Sequence, residues 1–171
     1  MILEGPDGAG KTTLYETQFK NLGFNLIHNG VFPSPPEAYS AYRDQQETIR
    51  KLDKVVLDRS HISQAIYGPI YRGERHQKLQ HKIVDGVFFQ MEAVVVLCYT
   101  HLVYTNWASR PHKEYVKDET NFRKIMRAYD YKGITEYTDL PVVLYDYSNE
   151  EENELIPLPD RVQIIRENFY G

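Results

Sequence analysis

Residues 4–13 of the chain read EGPDGAGKTT, which fits the pattern G-x-x-x-x-G-K-[ST] of a phosphate-binding loop between a strand and a helix. The glycines of such a loop let backbone N–H groups turn inward around phosphate oxygens. The lysine then reaches the β- and γ-phosphates of a nucleoside triphosphate, and the hydroxyl that follows it ligates Mg²⁺. The residues that we expect to hold the triphosphate are Gly5, Gly8, Ala9, Gly10, Lys11, Thr12 and Thr13.

The segments on either side of this loop support the interpretation. Residues 1–3 are apolar and predict a short strand before the loop, and residues 11–20 have the apolar spacing of a helix after it. A helix in that place directs the positive end of its dipole at the same phosphates. A glycine-rich turn without a ligand is the alternative, and the flanking strand and helix argue against it.

The composition is that of an ordinary globular domain. The chain has 171 residues, 42% hydrophobic and 26% charged, so we expect one domain, residues 1–171, with a sizeable core. The net charge of −4 disfavours a nucleic acid polymer as a partner, because proteins that bind duplexes are usually basic. The single Cys98 excludes an internal disulfide, and the longest apolar run, residues 93–99, is too short to span a bilayer. We therefore expect a cytoplasmic protein without a membrane partner.

Short apolar runs alternate with longer amphipathic segments along the chain. The apolar runs predict strands at residues 1–4, 24–28, 54–58, 93–99 and 141–146. The amphipathic segments predict helices at residues 11–20, 37–52, 75–90, 118–132 and 160–169. Apolar strands separated by helices indicate an α/β fold with a doubly wound, mainly parallel five-stranded sheet flanked by helices. Ligands bind such sheets outside the carboxyl ends of the strands.

Asp58 and Arg59 end the predicted third strand, at the edge of the sheet where the phosphate loop is expected. Asp58 could hold a water molecule on Mg²⁺ there, and Arg59 could bind a second phosphate through two N–H groups. A surface ion pair is the alternative interpretation. The phosphate loop elsewhere in the chain favours a functional pair.

Residues 4–13 and the pattern Asp58-Arg59-x-x-x-Ser63-Gln64-x-x-Tyr67 together resemble thymidylate kinases, within the nucleoside monophosphate and deoxynucleoside kinases of the P-loop group. The resemblance implies the P-loop kinase fold, ATP and Mg²⁺ as cofactors, and phosphoryl transfer to a deoxynucleoside monophosphate, dTMP first among them. Small nucleotides are then the substrates. Thymidylate kinases are commonly dimers, so the resemblance also implies a homodimer.

The resemblance assigns roles in the acceptor site residue by residue. Asp7 would contact the sugar 3′-hydroxyl close to the reacting phosphates, and Arg59 would hold the acceptor phosphate. Ser63 is the serine of the family's second motif. Gln64 would hydrogen-bond the edge of the base, and Tyr67 would crowd the 2′ position and so favour deoxyribose.

The segment after the second predicted strand resembles the family more weakly. Phe32 belongs to a Phe-Pro pair like that of the family, whereas Ser34 stands where an arginine is common. Tyr39 and Arg43 are four residues apart and share one helix face. They resemble the family's base-stacking aromatic residue and its partner arginine.

A polar, aromatic and basic segment, about residues 101–117, lies between the fourth predicted strand and a helix. Kinases of this type carry a mobile lid there, which would bring Arg110 or Lys113 onto the transferred phosphoryl group. A plain basic loop is the alternative. The family places its catalytic arginine in the phosphate loop or in the lid, and this phosphate loop has none, so the resemblance favours Arg110 as a catalytic residue beside Lys11 and Arg59.

The class of acceptor stays open between two alternatives. A monophosphate is already an anionic nucleophile, whereas a nucleoside hydroxyl benefits from a carboxylate that takes its proton. Deoxynucleoside kinases carry that carboxylate after the second strand, and residues 24–36 contain no Asp or Glu. This favours the monophosphate, although Asp7 or Asp58 could substitute. A switch that hydrolyses ATP or GTP is a further alternative, although the guanine-reading pattern Asn-Lys-x-Asp is absent from the sequence.

Overall fold

The central sheet has five strands, which run parallel to one another. The structure is a computed structural model and describes residues 1–30, 34–73, 75, 77–109, 116, 118–149 and 155–171. The strands are β1 (Ile2–Glu4), β2 (Asn25–His28), β3 (Val55–Asp58), β4 (Val95–Tyr99) and β5 (Val142–Asp146). Their order across the sheet is β2-β3-β1-β4-β5, which places β1 at the centre. The predicted doubly wound parallel sheet is confirmed.

Helices connect these strands. They are α1 (Lys11–Leu14), α2 (Pro35–Arg50), α3 (His61–Tyr67), α4 (Lys78–Gln90), α5 (Val103–Ala108), α6 (Glu119–Ala128), α7 (Tyr131–Ile134) and α8 (Leu158–Tyr170). Among the described residues, no helix combines the length and the apolarity that crossing a bilayer requires.

The register of the sheet brings two functional segments to one edge. Leu3 of β1 pairs with Asp58 of β3 on one side and with Val96 of β4 on the other. All residues of β1 and β3 are buried, which explains why both strands are almost continuously apolar. Because parallel strands end at the same edge, the phosphate loop after β1 and Arg59 after β3 are neighbours.

The helix boundaries differ from the prediction where capping decides them. The helix expected from residue 37 begins at Pro35, because Ser34 caps it: the Ser34 hydroxyl accepts a hydrogen bond from the Glu37 N–H at 3.5 Å. The segment expected as one helix at 11–20 is α-helical only over Lys11–Leu14 and continues as a π-helical turn over Tyr15–Phe19. The helix expected at 118–132 is divided between α6 and α7.

Part of the segment predicted as a lid is ordered structure packed on the core. Within residues 101–117, α5 buries Val103 and Trp107, and the Trp107 ring stacks on Phe122 of α6 with the ring centroids 4.3 Å apart. Val116 is also fully buried, and its carbonyl accepts a hydrogen bond from Trp107 Nε1 at 2.6 Å. The lid at about residues 101–117 stays a prediction. Arg110 and Lys113 lie outside the described residues.

Candidate active site

The phosphate loop has the conformation that its sequence predicts. Gly5, Gly8 and Gly10 have φ angles of 148°, 80° and 79°, which other residues rarely adopt. Two of these glycines also lie against other groups. A Cβ atom on Gly5 would lie 2.6 Å from the carbonyl oxygen of Cys98, and one on Gly10 would lie 2.8 Å from the ring of Tyr147. The loop therefore needs glycine for its backbone angles and for space.

Lys11 lies at the start of α1 with its amino group turned back over the loop. Its Nζ donates hydrogen bonds to the carbonyl oxygens of Gly5 and Pro6, both at 2.9 Å. Burial, and after it the charge of Arg59, lowers the pKa of Lys11 to about 8. An anion bound in the loop would favour the charged form, so this lysine is placed to neutralise a phosphate.

Arg59 and Asp7 form an ion pair between the end of β3 and the phosphate loop. The guanidinium also donates a hydrogen bond to the Ser63 hydroxyl at 3.2 Å and lies 4.9 Å from the centre of the Tyr67 ring. The Tyr67 hydroxyl donates to Asp7 Oδ1 at 3.3 Å. Three residues that the sequence predicts for the acceptor site, Asp7, Ser63 and Tyr67, therefore each contact Arg59. Val116 supports them, because its N–H donates to Asp7 Oδ2 at 3.5 Å.

Asp58 at the end of β3 has one carboxylate oxygen hydrogen-bonded and the other without a donor among the described residues. Its Oδ2 accepts a hydrogen bond from His28 Nδ1 at 2.8 Å, and its buried Oδ1 has no hydrogen-bond partner within the described part of the chain. Asp58 and Thr12 line the same cavity. A buried carboxylate oxygen without a donor, beside a hydroxyl of the phosphate loop, fits a hydrated magnesium ion.

Two cavities lie at this edge of the sheet, and they meet. The larger, about 790 Å³, follows the phosphate loop and α1 and is closed by Leu102, Asn106, Tyr145 and Tyr147. The smaller is about 200 Å³. Asp7, His28 and Arg59 line both cavities. The other residues around the smaller cavity are Asn29, Gly30, Tyr42, Ser63, Gln64, Tyr67 and Arg72.

Comparison with known proteins gives matches at the level of structure. No family model matches the sequence, and no curated protein matches it at a significant level. The YorR protein of Bacillus subtilis, solved in complex with phosphorylated GDP, aligns over 96% of this chain and 91% of its own, with a TM-score of 0.68 and 16% identity. A deoxyadenosine kinase from M. mycoides with bound dATP aligns over 99% and 98%, with a TM-score of 0.57 and 16% identity. The chain has the P-loop nucleotide-kinase fold.

A second structure of the M. mycoides deoxyadenosine kinase also matches. It holds dCMP and a flexible dCDP as products and aligns over 99% of this chain and 97% of its own, with a TM-score of 0.53 and 15% identity. At such identities the likeness establishes the fold alone. The acceptor must therefore be inferred from the residues of the smaller cavity.

Two predicted acceptor residues lie elsewhere in this P-loop nucleotide-kinase fold. Tyr39 and Arg43 do share one face of α2, but that face borders a groove toward Ile83 and Val84 of α4 and lines neither cavity. Tyr42, on the side of α2 that faces α3, lines the smaller cavity instead. Because α2 packs on both α3 and α4, a spacing of three residues decides which neighbour a tyrosine meets. Phe32 lies outside the described residues.

Two residues that shape the cavities, His28 and Asn106, were not predicted from the sequence. His28 is the last residue of β2, in the segment where a deoxynucleoside kinase would carry a carboxylate. Asn106 of α5 donates hydrogen bonds to the carbonyl oxygen of Gly8 at 3.2 Å and to the Tyr147 hydroxyl at 2.5 Å, so it joins the phosphate loop to the segment after β5. Residues 145–148, by contrast, are expected near the donor adenine from their position at the end of the last strand, and Tyr145 and Tyr147 do line the larger cavity.

A buried carboxylate at the end of β1 was also missed. Glu4 is fully buried and accepts four hydrogen bonds: from the N–H and the hydroxyl of Ser60 at 2.8 and 2.7 Å, from the Ser63 hydroxyl at 2.7 Å and from the Tyr129 hydroxyl at 2.9 Å. Both oxygens are therefore occupied. Glu4 serves to fix the start of α3 against the phosphate loop, and it is not available as a proton acceptor.

Proposed function

We propose that the protein transfers the γ-phosphoryl group of ATP to a deoxynucleoside monophosphate, with dTMP as the first acceptor to test. The observation that carries the proposal is the pair of cavities that share Asp7, His28 and Arg59 as a common wall. A hydrolase needs one nucleotide cavity and a water molecule. A second cavity that meets the phosphate loop at an arginine is what a transferase needs for its acceptor.

The larger cavity supports the role of donor site. It offers the glycine-rich loop, Lys11 and the N-terminus of α1 to the triphosphate, and Tyr145 and Tyr147 to the adenine. Thr12 and Asp58 would hold Mg²⁺, which neutralises charge on the phosphates and orients them.

The smaller cavity supports the role of acceptor site. Arg59 would bind the acceptor phosphate, Gln64 would hydrogen-bond the base, and Tyr67, held beside Asp7, would leave little room for a 2′-hydroxyl. An acceptor phosphate is already anionic, so the reaction depends on positioning and on positive charge more than on a general base. Arg110, which the resemblance to thymidylate kinases assigns to the lid, would add charge at the transferred group.

A panel of acceptors tests this proposal. ADP release and the phosphorylated product are measured with ATP and Mg²⁺ together with each deoxynucleoside monophosphate, each ribonucleoside monophosphate, each deoxynucleoside or no acceptor. Product formation from dTMP or another deoxynucleoside monophosphate supports the proposal. ADP release that is equal with and without every acceptor would support a nucleotide-hydrolysing switch and overturn it.

A deoxynucleoside kinase is the second candidate, and one observation favours it. His28, which lines both cavities, is hydrogen-bonded through Nδ1 to Asp58, as an imidazole that accepts a proton from a hydroxyl would be oriented. The similar M. mycoides enzyme is itself a deoxyadenosine kinase. In the same panel, this candidate would be established if the wild-type protein phosphorylates deoxynucleosides and His28→Ala does not. It would be excluded if the wild-type protein phosphorylates monophosphates and His28→Ala still does so.

A further inference from the structure

Arg59 has an unusual backbone conformation. Its φ angle is 70°, and in the part of the chain that the structure describes only Glu92 shares a positive φ among residues other than glycine. A side chain with a Cβ atom is strained there, so the surrounding structure has to hold it. Arg59 is also the residue whose guanidinium lies in the wall between the two cavities.

Asn29 holds this conformation from the neighbouring strand. Its side-chain Nδ2 donates a hydrogen bond to the carbonyl oxygen of Arg59 at 2.8 Å, and its backbone N–H donates to the carbonyl oxygen of Asp58 at 3.0 Å. On the other side, the N–H of Arg59 donates to the carbonyl oxygen of Leu3 at 3.0 Å. The backbone around Arg59 is thus fixed from β1 and from the end of β2.

The amide of Asn29 is itself oriented by α2. Asn29 is 2% exposed, and Gln45 Nε2 donates to its Oδ1 at 2.5 Å. The carbonyl oxygen of Arg59 can only accept, so the Asn29 NH₂ group faces Arg59 and the amide oxygen faces Gln45. The next carbonyl along the chain, that of Ser60, is held in the same way by the Tyr42 hydroxyl at 2.8 Å.

We propose that Asn29 is a positioning residue that keeps Arg59 in its left-handed conformation and so directs the guanidinium at Asp7 and the acceptor cavity. The inference rests on the proposed function for its effect on catalysis. The effect requires an N–H donor at this place, which asparagine has and aspartate lacks. Gln45 acts one step further back, through Asn29.

The chain offers a matched control on the same pair of strands. Asn25 at the start of β2 donates through Nδ2 to the carbonyl oxygen of Lys54 at 3.2 Å, as Asn29 at its end donates to Arg59. Asn25→Asp and Asn29→Asp therefore remove the same kind of bond at opposite edges of the sheet. Gln46→Ala is the control for Gln45→Ala, because Gln46 is the next residue of α2 and its Nε2 has no hydrogen-bond partner within the described residues.

Steady-state kinetics and acceptor titration measure the effect on the site. We expect Asn29→Asp to lower kcat/KM for the acceptor at least about tenfold and to leave the KM for ATP nearly unchanged. Gln45→Ala should give a smaller loss of the same kind, and Asn25→Asp and Gln46→Ala should give none. In an Arg59→Ala background, Asn29→Asp should have no further effect on acceptor affinity, whereas a merely structural role would give additive losses.

A second readout does not depend on turnover. Hydrogen exchange at the backbone N–H of Arg59, which donates to the carbonyl oxygen of Leu3, should become about tenfold faster in Asn29→Asp and stay unchanged in Asn25→Asp when followed by NMR of arginine-labelled protein. A wild-type protein that phosphorylates no acceptor would refute the proposed function but would leave this expectation in place. Unchanged exchange and unchanged acceptor kinetics in Asn29→Asp would overturn the inference, and Gln45→Ala decides it if Asn29→Asp does not fold.

Discussion

The hydroxyl of Tyr129 donates a hydrogen bond of 2.9 Å to the Glu4 carboxylate, 125 residues earlier in the chain. Tyr129 follows α6, and Glu4 is the last residue of β1, so the bond joins the C-terminal half of the chain to the start of the phosphate loop. The same hydroxyl lies 2.8 Å from the Ser63 hydroxyl, which contacts Arg59. The position of Arg59 thus depends on a residue outside both cavities.

Removal of the Tyr129 hydroxyl should lower the stability of the fold. Tyr129→Phe leaves the buried Glu4 with one donor fewer, so we expect the free energy of unfolding to fall by about 1–2 kcal/mol. Urea denaturation measures it. Tyr131→Phe is the control, because Tyr131 is 53% exposed. An equal loss in both variants would contradict the role of Tyr129.

Gly10 and Gly23 both have a positive φ angle, but only Gly10 also lacks space for a Cβ atom. Their φ angles are 79° and 78°, but a Cβ atom on Gly10 would meet Tyr147 at 2.8 Å, whereas one on Gly23 would meet nothing within 4 Å. Gly23→Ala should cost only about 1 kcal/mol for its backbone angle. Gly10→Ala should in addition weaken ATP binding at least about tenfold, because the methyl group would displace Tyr147. Calorimetric titration with ATP checks both, and equal ATP affinity in the two alanine variants would contradict the steric argument.

The base should be recognised through Gln64. Gln64 is buried and lines the smaller cavity, so Gln64→Ala should weaken binding of the preferred monophosphate by about 1–3 kcal/mol. Gln90→Ala, on an exposed residue at the end of α4, is the control. An unaltered KM for every acceptor would show that the base lies elsewhere.

The prediction for Arg110 rests on the sequence alone, because Arg110 lies outside the described residues. Arg110→Ala should lower kcat by roughly 10³–10⁵, the contribution of an arginine at a phosphoryl-transfer site, and should leave the circular dichroism spectrum unchanged. Arg166→Ala is the control, because Arg166 pairs with Glu92 before β4. Full activity of Arg110→Ala would remove this residue from the mechanism and would make Lys113 the next to test.

Features set by residues close together in the sequence could be predicted, whereas features set by residues far apart could not. The phosphate loop is determined by its own glycines and the apolar runs beside it, so its place after β1 could be predicted, and so could the parallel sheet. The surroundings of Glu4 could not, because its donors Ser60, Ser63 and Tyr129 are 56 to 125 residues away and follow no period. An acidic residue at the end of a strand looks the same whether it is exposed or buried.

Two other features could not be read from the sequence for reasons of the same kind. Tyr39 and Tyr42 are the same residue type and lie within one turn of α2, and only the positions of α3 and α4 decide that Tyr42 borders the smaller cavity. α5 was not predicted, because its segment is rich in polar residues. Its burial depends on the stacking of Trp107 on Phe122, a contact across 15 positions that no helical period reveals.

A buried polar cluster joins α3 and α4 to the segment before β5. Asp85 Oδ1 lies 2.9 Å from His61 Nε2 and accepts from the Thr138 hydroxyl at 2.5 Å, and Oδ2 accepts from the Asp139 N–H at 2.9 Å. His61, His81 and Asp85 offer ligand atoms within 4.8 Å of one another, as a metal site would. Since both oxygens of Asp85 already accept hydrogen bonds, we interpret the cluster as a structural network.

The stability of the protein should therefore depend on pH through Asp85. Burial alone would raise the pKa of Asp85, but the hydrogen bonds from His61, Thr138 and Asp139 outweigh it and leave the pKa below its usual value of 3.8. A pKa that is lower in the folded state stabilises the fold above the unfolded-state pKa, and this stabilisation is lost as the pH falls through the folded-state pKa. Asp85→Asn should thus be less stable than wild type by about 1–3 kcal/mol near pH 7, and the difference should shrink below about pH 4. Urea denaturation at both pH values, with the exposed Asp53→Asn as control, measures this, and a difference that does not change with pH would contradict the role of the Asp85 charge.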